Sequence, residues 1–236
     1  MKHIHILLLA LCSWLFVACV DTEERSDTPT GNFEALWEII DQHYCFFAYK
    51  QHEYGLDWNH VYDKYKVRVS DKMDERQLFE VLCDMLAELR DGHVNLYTSY
   101  DTGRYWSWHE SYPKNYSDTL ERRYMGTDYK ITGGLNYRVL NDNIGYLRYE
   151  SFSYPVGESG LDDALSYLAL CRGLIIDIRN NGGGELTTAE RLAARFVQEK
   201  TLVSYMQHKT GTGHNDFSAL EARYLEPSSK FRWHKP

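Results

Sequence analysis

The sequence predicts an α/β fold in which an N-terminal helical subdomain hands over to an incomplete parallel or mixed sheet. Two observations carry this expectation. Between residues 33 and 89 the apolar positions recur at helical spacing, and from residue 144 onward strand-like and helix-like stretches alternate. A chain of 236 residues with 43% hydrophobic and 14% aromatic content has enough apolar material for a real core.

The first helix is expected from Phe33 to about Phe47, where Phe33, Leu36, Trp37, Ile40, Tyr44 and Phe47 form one stripe. A second covers Trp58 to Val69, with Trp58, Val61, Tyr62, Tyr65 and Val69 on one face. The third is the clearest. Leu78, Leu82, Met85, Leu86 and Leu89 make a stripe that stops at Arg90-Asp91-Gly92, where Gly92 is placed to end it. Val94, Leu96 and Thr98 then alternate with Asn95 and Tyr97 as in a strand. Residues 100–135 follow no clear period. They carry Tyr105, Trp106, Trp108, Tyr112, Tyr116, Tyr124 and Tyr129, and packing of a long excursion is favoured over an aromatic-lined cleft.

Further on, Ile144 to Tyr149 reads as a strand, and Leu161, Ala164, Leu165 and Leu168 mark a helix. Gly173 to Arg179 is a nearly continuous apolar run, as expected of a strand buried on both faces. Ala189, Leu192, Ala193, Phe196 and Val197 line the next helix, with Thr187 and Glu190 offering a capping box. Strand, helix, strand implies a right-handed parallel crossover. Asp177 and Arg179 flank Ile178, so they should share a face and pair structurally. Phe217 to Tyr224 reads as a further helix.

A formal charge of -8 without any Lys/Arg-rich run argues against a nucleic-acid partner, which needs clustered positive charge. At the N-terminus, Lys2 precedes an apolar stretch from Ile6 to Val17, short for a membrane span and right for a signal-peptide core. Residues 1–19 are expected to be that signal. Its end, Val17-Ala18-Cys19, resembles the lipobox of bacterial lipoproteins, which implies acylation of Cys19 and a lipid-anchored protein of the bacterial cell envelope, periplasmic or surface-exposed. An ordinary secretory signal is the alternative. Residues 20–32 read as an acidic tether, leaving the helical subdomain at 33–98 and the α/β core at 99–236. Cys45, Cys83 and Cys171 are an odd set with no close pair, which favours buried thiols over disulfides or a zinc site.

Two segments carry candidate chemistry. In Asp177-Ile178-Arg179-Asn180-Asn181-Gly182-Gly183-Gly184-Glu185 a strand runs into three glycines and then a helix start, a place where bare N–H groups suit an anion or an oxyanion. A dinucleotide fingerprint fails because Thr187 stands where its third glycine belongs, and no Lys-Ser/Thr completes a phosphate loop. A tight structural turn explains the glycines equally well. His93 sits where a helix gives way to a strand, so its imidazole is a candidate general base, with a structural role as the alternative. His208 and His214 lack a third metal ligand at convincing spacing and read as part of a flexible polar loop.

Taken together, "LRDGHVNL", "IGYLRYESF" and "GLIIDIRNNGGGELTTAERLAARF" resemble the tail-specific (C-terminal processing) serine peptidases, in particular the branch with a tricorn-like core, over roughly Phe33 to Lys200. The resemblance implies hydrolysis of peptide bonds in a peptide or protein substrate, with no metal or organic cofactor. In that branch a histidine in this loop activates a serine, and an amide of the glycine turn helps form the oxyanion hole. The matching positions are His93 and Gly182 to Gly184, Gly183 foremost. The serine and lysine branch has no histidine in that loop, so "DGHV" points to the histidine-dependent mechanism. About 45 residues separate Tyr97 from Ile144, too few for the PDZ domain that many members carry there. Members continue beyond the equivalent of Phe231 to Pro236 into a turn of the type N-x-x-x-x-S-A that supplies the nucleophile, with an acidic partner later still. On that basis the chain is expected to stop before its nucleophile and to turn over no peptide by itself. Ser218 in its expected helix, and Ser228 and Ser229 beside Pro227, are poor replacements. A non-catalytic surface lipoprotein that binds peptide or glycan through its aromatic residues is the rival expectation.

Overall fold

A computed structural model describes residues 26–235 and divides the chain into two compact units. The first contains the chain to Tyr105 together with Thr212–Asn215; the second contains Trp106–Gly211 and the chain from Asp216 onward.

In the first unit, helices α1 (Pro29–His43), α2 (Phe47–Tyr54), α3 (Trp58–Lys66) and α4 (Glu75–Ala87) precede an antiparallel hairpin of β1 (Asn95–Tyr97) and β2 (Thr102–Arg104). Helix α1 begins ahead of Phe33, so residues 29–32 are helix rather than tether. The cause is local: Thr28 Oγ1 accepts the Gly31 N–H at 3.1 Å, and Pro29 fits the first helical position. The single helix expected as far as Phe47 is broken at Tyr44, which is extended and buried, and α2 restarts at Phe47. Asp74 and Gln77 form a reciprocal capping box at the start of α4. The turn after α4 is made by Arg90 rather than Gly92. Arg90 adopts φ 47°, a left-handed conformation uncommon for a side-chain-bearing residue. Its guanidinium lies over the Tyr54 ring at 4.2 Å, and its carbonyl accepts Lys50 Nζ at 3.0 Å. Phe33, Trp58, Val61, Leu82, Met85 and Leu89 lie in the core between the helices. Trp37 and Trp58 stack at 6.4 Å and exchange indole-to-carbonyl hydrogen bonds at 3.1 and 3.2 Å, locking α1 to α3.

The second unit is built on a four-stranded mixed sheet in the order β3 (Lys130–Thr132), β4 (Leu135–Val139), β5 (Ile144–Tyr149), β6 (Gly173–Asp177). The β3–β4 and β4–β5 pairs are antiparallel and β5–β6 is parallel, joined by α7 (Glu158–Leu168). Ahead of the sheet lie the short helices α5 (Ser107–Glu110) and α6 (Asp118–Met125). Side chains alternate across a pleated strand. Leu135, Tyr137, Leu147 and Tyr149 pack with Leu161, Leu165 and Leu168 of α7, and Arg138, Tyr146, Arg148, Ile175 and Asp177 take the opposite face.

Four expectations are corrected here. Strand β6 is not buried on both faces: it is an edge of the sheet among the described residues, and Ile175 is 48% exposed. The helix α8 (Leu186–Ala193) has Glu185 at its N-cap with no side-chain bond, so Thr187 and Glu190 form no capping box. Residues 217–224 are not helical. Glu221–Leu225 is strand β8, paired antiparallel with β7 (Thr201–Met206), because a partner distant in sequence overrides the local helical spacing. Of the described cysteines, all free, Cys171 is buried, Cys83 half-buried and Cys45 exposed, so the buried-thiol expectation fails at Cys45. Among the described residues no helix is long and apolar enough to cross a membrane.

Candidate active site

His93 lies in the first unit, in the loop that joins α4 to β1. Its side chain is fully exposed. Asp91 Oδ1 accepts the His93 backbone N–H at 2.9 Å and stands 3.1 Å from the ring nitrogen Nδ1. Asp91 Oδ2 accepts the phenol of Tyr44 at 2.8 Å. Burial alone would raise the Asp91 carboxyl, but the His93 amide, the Tyr44 phenol and the nearby Lys50 charge together hold it below the usual carboxylate range. Burial, followed by the bond to Asp91, pushes the Tyr44 phenol well up, so it stays a donor at neutral pH.

The glycine turn lies in the second unit. The segment after β5 clamps it: Phe152 N–H donates to the Gly183 carbonyl at 2.8 Å, and Ser151 Oγ donates to the same oxygen at 3.2 Å. Gly183 and Gly184 have φ 83° and 136°. A Cβ on Gly184 would meet Ser153 N at 2.2 Å, so no other residue fits there without moving backbone; at Gly182 and Gly183 a Cβ meets open space. The three amides differ. Gly182 N–H donates to the Glu150 carbonyl at 3.1 Å, and Gly183 N–H donates to Asn181 Oδ1 at 2.7 Å. The Gly184 N–H donates to none of the described residues. It is the amide that can meet an outside acceptor without first giving up an internal bond.

Beside this turn the second unit holds two cavities of about 870 and 910 Å³. Tyr116 lines both. The first is also lined by Tyr124, Tyr146, Ile175 and Arg179, the second by Trp108, Tyr112, Ile178 and Asn181, the residue that leads into the glycines. Trp108, Tyr112 and Tyr124 are exposed, so the expected packing role of residues 100–135 gives way to a cleft wall for these three. Tyr116 is held from behind: Arg148 is 2% exposed and lies 4.7 Å from its ring centroid, with Arg179 at 5.9 Å. The expected Asp177–Arg179 pair is present and bidentate, at 2.9 and 2.6 Å. The Arg179 guanidinium, aided by the Tyr146 phenol at 2.5 Å, holds the Asp177 carboxyl far below its ordinary value. Single-residue spacing could not have revealed Tyr146 and Arg148. Their signal was the alternation of β5, which puts them on the face opposite α7.

His208 belongs to the second unit. His214 belongs to the first, where its Nε2 stands 2.8 Å from Asp41 Oδ1 and its ring stacks on Phe47 at 4.3 Å. Among the described residues no group of three His, Cys, Asp or Glu side chains is placed for a metal. Ser218 lies ahead of β8, where its hydroxyl donates to the Ala219 carbonyl. Ser228 Oγ accepts the Lys230 N–H. Cys19, the residue expected to be acylated, lies outside the described residues.

A mixed sheet with a glycine turn after its parallel strand, preceded in sequence by a helical unit, makes an α/β scaffold. Residues 143–236 match the model of peptidase family S41, and residues 26–87 match that of the tricorn protease C1 domain. Over residues 143–236 the chain is thus similar to peptidase family S41. A crystal structure from Parabacteroides merdae ATCC 43184, described as that of a candidate peptidase, is similar at 48% identity with a TM-score of 0.82; the match covers 89% of this chain and 66% of that one. The chain thus spans just under two thirds of that relative's length. Mature CPAF complexed with lactacystin aligns at 11% identity and TM-score 0.49, covering 76% of this chain and 61% of that one. The photosystem II D1 C-terminal processing protease aligns at 12% and 0.44, covering 86% and 72%. Among curated proteins none matches.

Proposed function

We propose that the protein is a serine-type peptidase that hydrolyses peptide bonds in proteins or peptides of the cell envelope, held to a membrane by a lipid on Cys19. The observation that carries the reading is the exposed aromatic cleft of the second unit, which runs from Trp108 and Tyr112 past Tyr116 to Asn181, at the head of a glycine turn with an uncommitted amide. An extended peptide would lie along the rings, and its scissile carbonyl oxygen would take the Gly184 N–H as negative charge develops. Gly183 would join only if the Asn181 side chain released its amide. His93 would accept the proton of the attacking serine hydroxyl and return it to the leaving amine. That serine is assigned to none of the residues 1–236. The same exposed rings favour a second reading, a lipoprotein that binds peptide or glycan without cleaving it.

The test is to express residues 20–236, and the same chain extended by the codons that follow Pro236 in its gene, and to treat both with a serine-directed fluorophosphonate. Labelling of the extended form, lost in His93→Ala, supports the peptidase. Peptide binding by both forms with labelling of neither rejects it in favour of the binding protein. In the chain expressed from Met1, membrane association that survives Cys19→Ala would reject the anchor.

A further inference from the structure

The resemblance places the acidic partner of the catalytic histidine far downstream, yet the loop already supplies a carboxylate. A local turn made by an aspartate engages one side-chain oxygen with nearby backbone. Asp91 does this with Oδ1, which faces both the His93 amide and the His93 ring. Its second oxygen is held by Tyr44, 47 residues away in sequence. Tyr44 is buried and packs edge-on against Phe47 at 5.1 Å. It stands at the break between α1 and α2, and this interruption is what carries its phenol to the loop. Asp91 is therefore fixed from two directions while the ring it faces is exposed.

We propose that Asp91 is the positioning residue of His93, anchored by Tyr44, so that the general base carries its orienting carboxylate within its own loop. This rests on the reading of His93 as the base. With Asp91 accepting at Nδ1–H, the neutral ring keeps its lone pair on Nε2, the nitrogen open to a substrate, and the carboxylate stabilises the imidazolium formed on proton uptake. The other groups facing the loop are Lys50 of α2 and Glu88 and Arg90 after α4, with the Tyr54 phenol donating to the Glu88 carbonyl at 2.8 Å. None of these changes in the variants below.

Nitrogen-15 NMR of histidine-labelled full chain reads the tautomer of His93 directly, with the signal assigned by its loss in His93→Gln. The expected result is an Nδ1–H tautomer that gives way to a mixture of tautomers in Asp91→Asn, where the charge is lost and the shape kept. Asp91→Glu should restore part of the Nδ1–H form. Tyr44→Phe, which removes one hydroxyl, should shift the ring in the same direction, and it stands in for Asp91→Asn if that variant does not fold. An unchanged tautomer in both variants overturns the proposal whatever the enzyme does. In the fluorophosphonate-reactive form, Asp91→Asn should lower kcat more than it changes KM. If NMR shows the tautomer change and kcat does not respond, Asp91 still orients the ring, and it is the assignment of His93 as base that fails.

Discussion

At the residue scale the glycine turn separates three positions that look identical in sequence. Gly184 has backbone within 2.2 Å of where a Cβ would stand, whereas Gly182 has open space. Gly184→Ala should therefore displace the turn and abolish fluorophosphonate labelling, while Gly182→Ala should fold and label normally. Gly183→Ala sits between them, with a left-handed φ that costs about 1–2 kcal/mol but no clash. Equal behaviour of all three variants in labelling and thermal unfolding would remove the basis for assigning Gly184 as donor. The glycine run and His93 were legible because their types and neighbours are local signals. The Tyr44–Asp91 contact and the occupied Gly183 amide were not, since each depends on a side-chain direction that spacing does not encode. Asp177 gives a pH test. Its folded-state pKa is depressed by Arg179, so its contribution is fully present above the unfolded value of about 3.9 and is lost as pH falls toward the folded value. The stability gap between the wild type and Asp177→Asn should be constant at neutral pH and shrink below about pH 4. A gap that widens in acid has the wrong sign for this pair.

At the element scale the second unit is tied together by Arg195, which is fully buried just after α8. It reaches Asp162 and Glu158 of α7 and donates to the Phe231 carbonyl at 2.7 Å, and its own carbonyl accepts the Trp233 N–H at 2.8 Å. Removing it takes the ion-pair partner from Asp162, leaves Glu158 only Arg191 at 3.5 Å, and opens a hole between α7, α8 and the segment around Trp233. Arg195→Ala should cost about 3 kcal/mol in urea unfolding, the low end for a broken buried pair because both carboxylates keep some water. A loss under about 1 kcal/mol would mean that the contacts behave as surface pairs. Sequence periodicity identified α3, α4, β5 and α7, whose apolar faces meet partners close in the chain. It failed at β8 and at residues 100–135. Strand β8 exists through its pairing with β7, which overrides a local helical spacing, whereas the aromatic residues of 100–135 that line the cleft are exposed and leave no periodic signature.

At the scale of the whole molecule, the chain combines a helical unit that presents His93 on an anchored aspartate with a sheet unit that presents a glycine turn beside an aromatic cleft. Within the second unit, the glycine turn holds the oxyanion of a peptide bound along the aromatic cleft. A crystal structure of the fluorophosphonate-reactive form with a peptide boronate, whose tetrahedral adduct mimics the transition state, tests this most directly. The expected result is one boronate oxygen at about 2.7–3.1 Å from the Gly184 nitrogen, with the peptide lying along Tyr116. A boronate oxygen held by donors other than the glycine turn, or a peptide lying away from Tyr116, would contradict it.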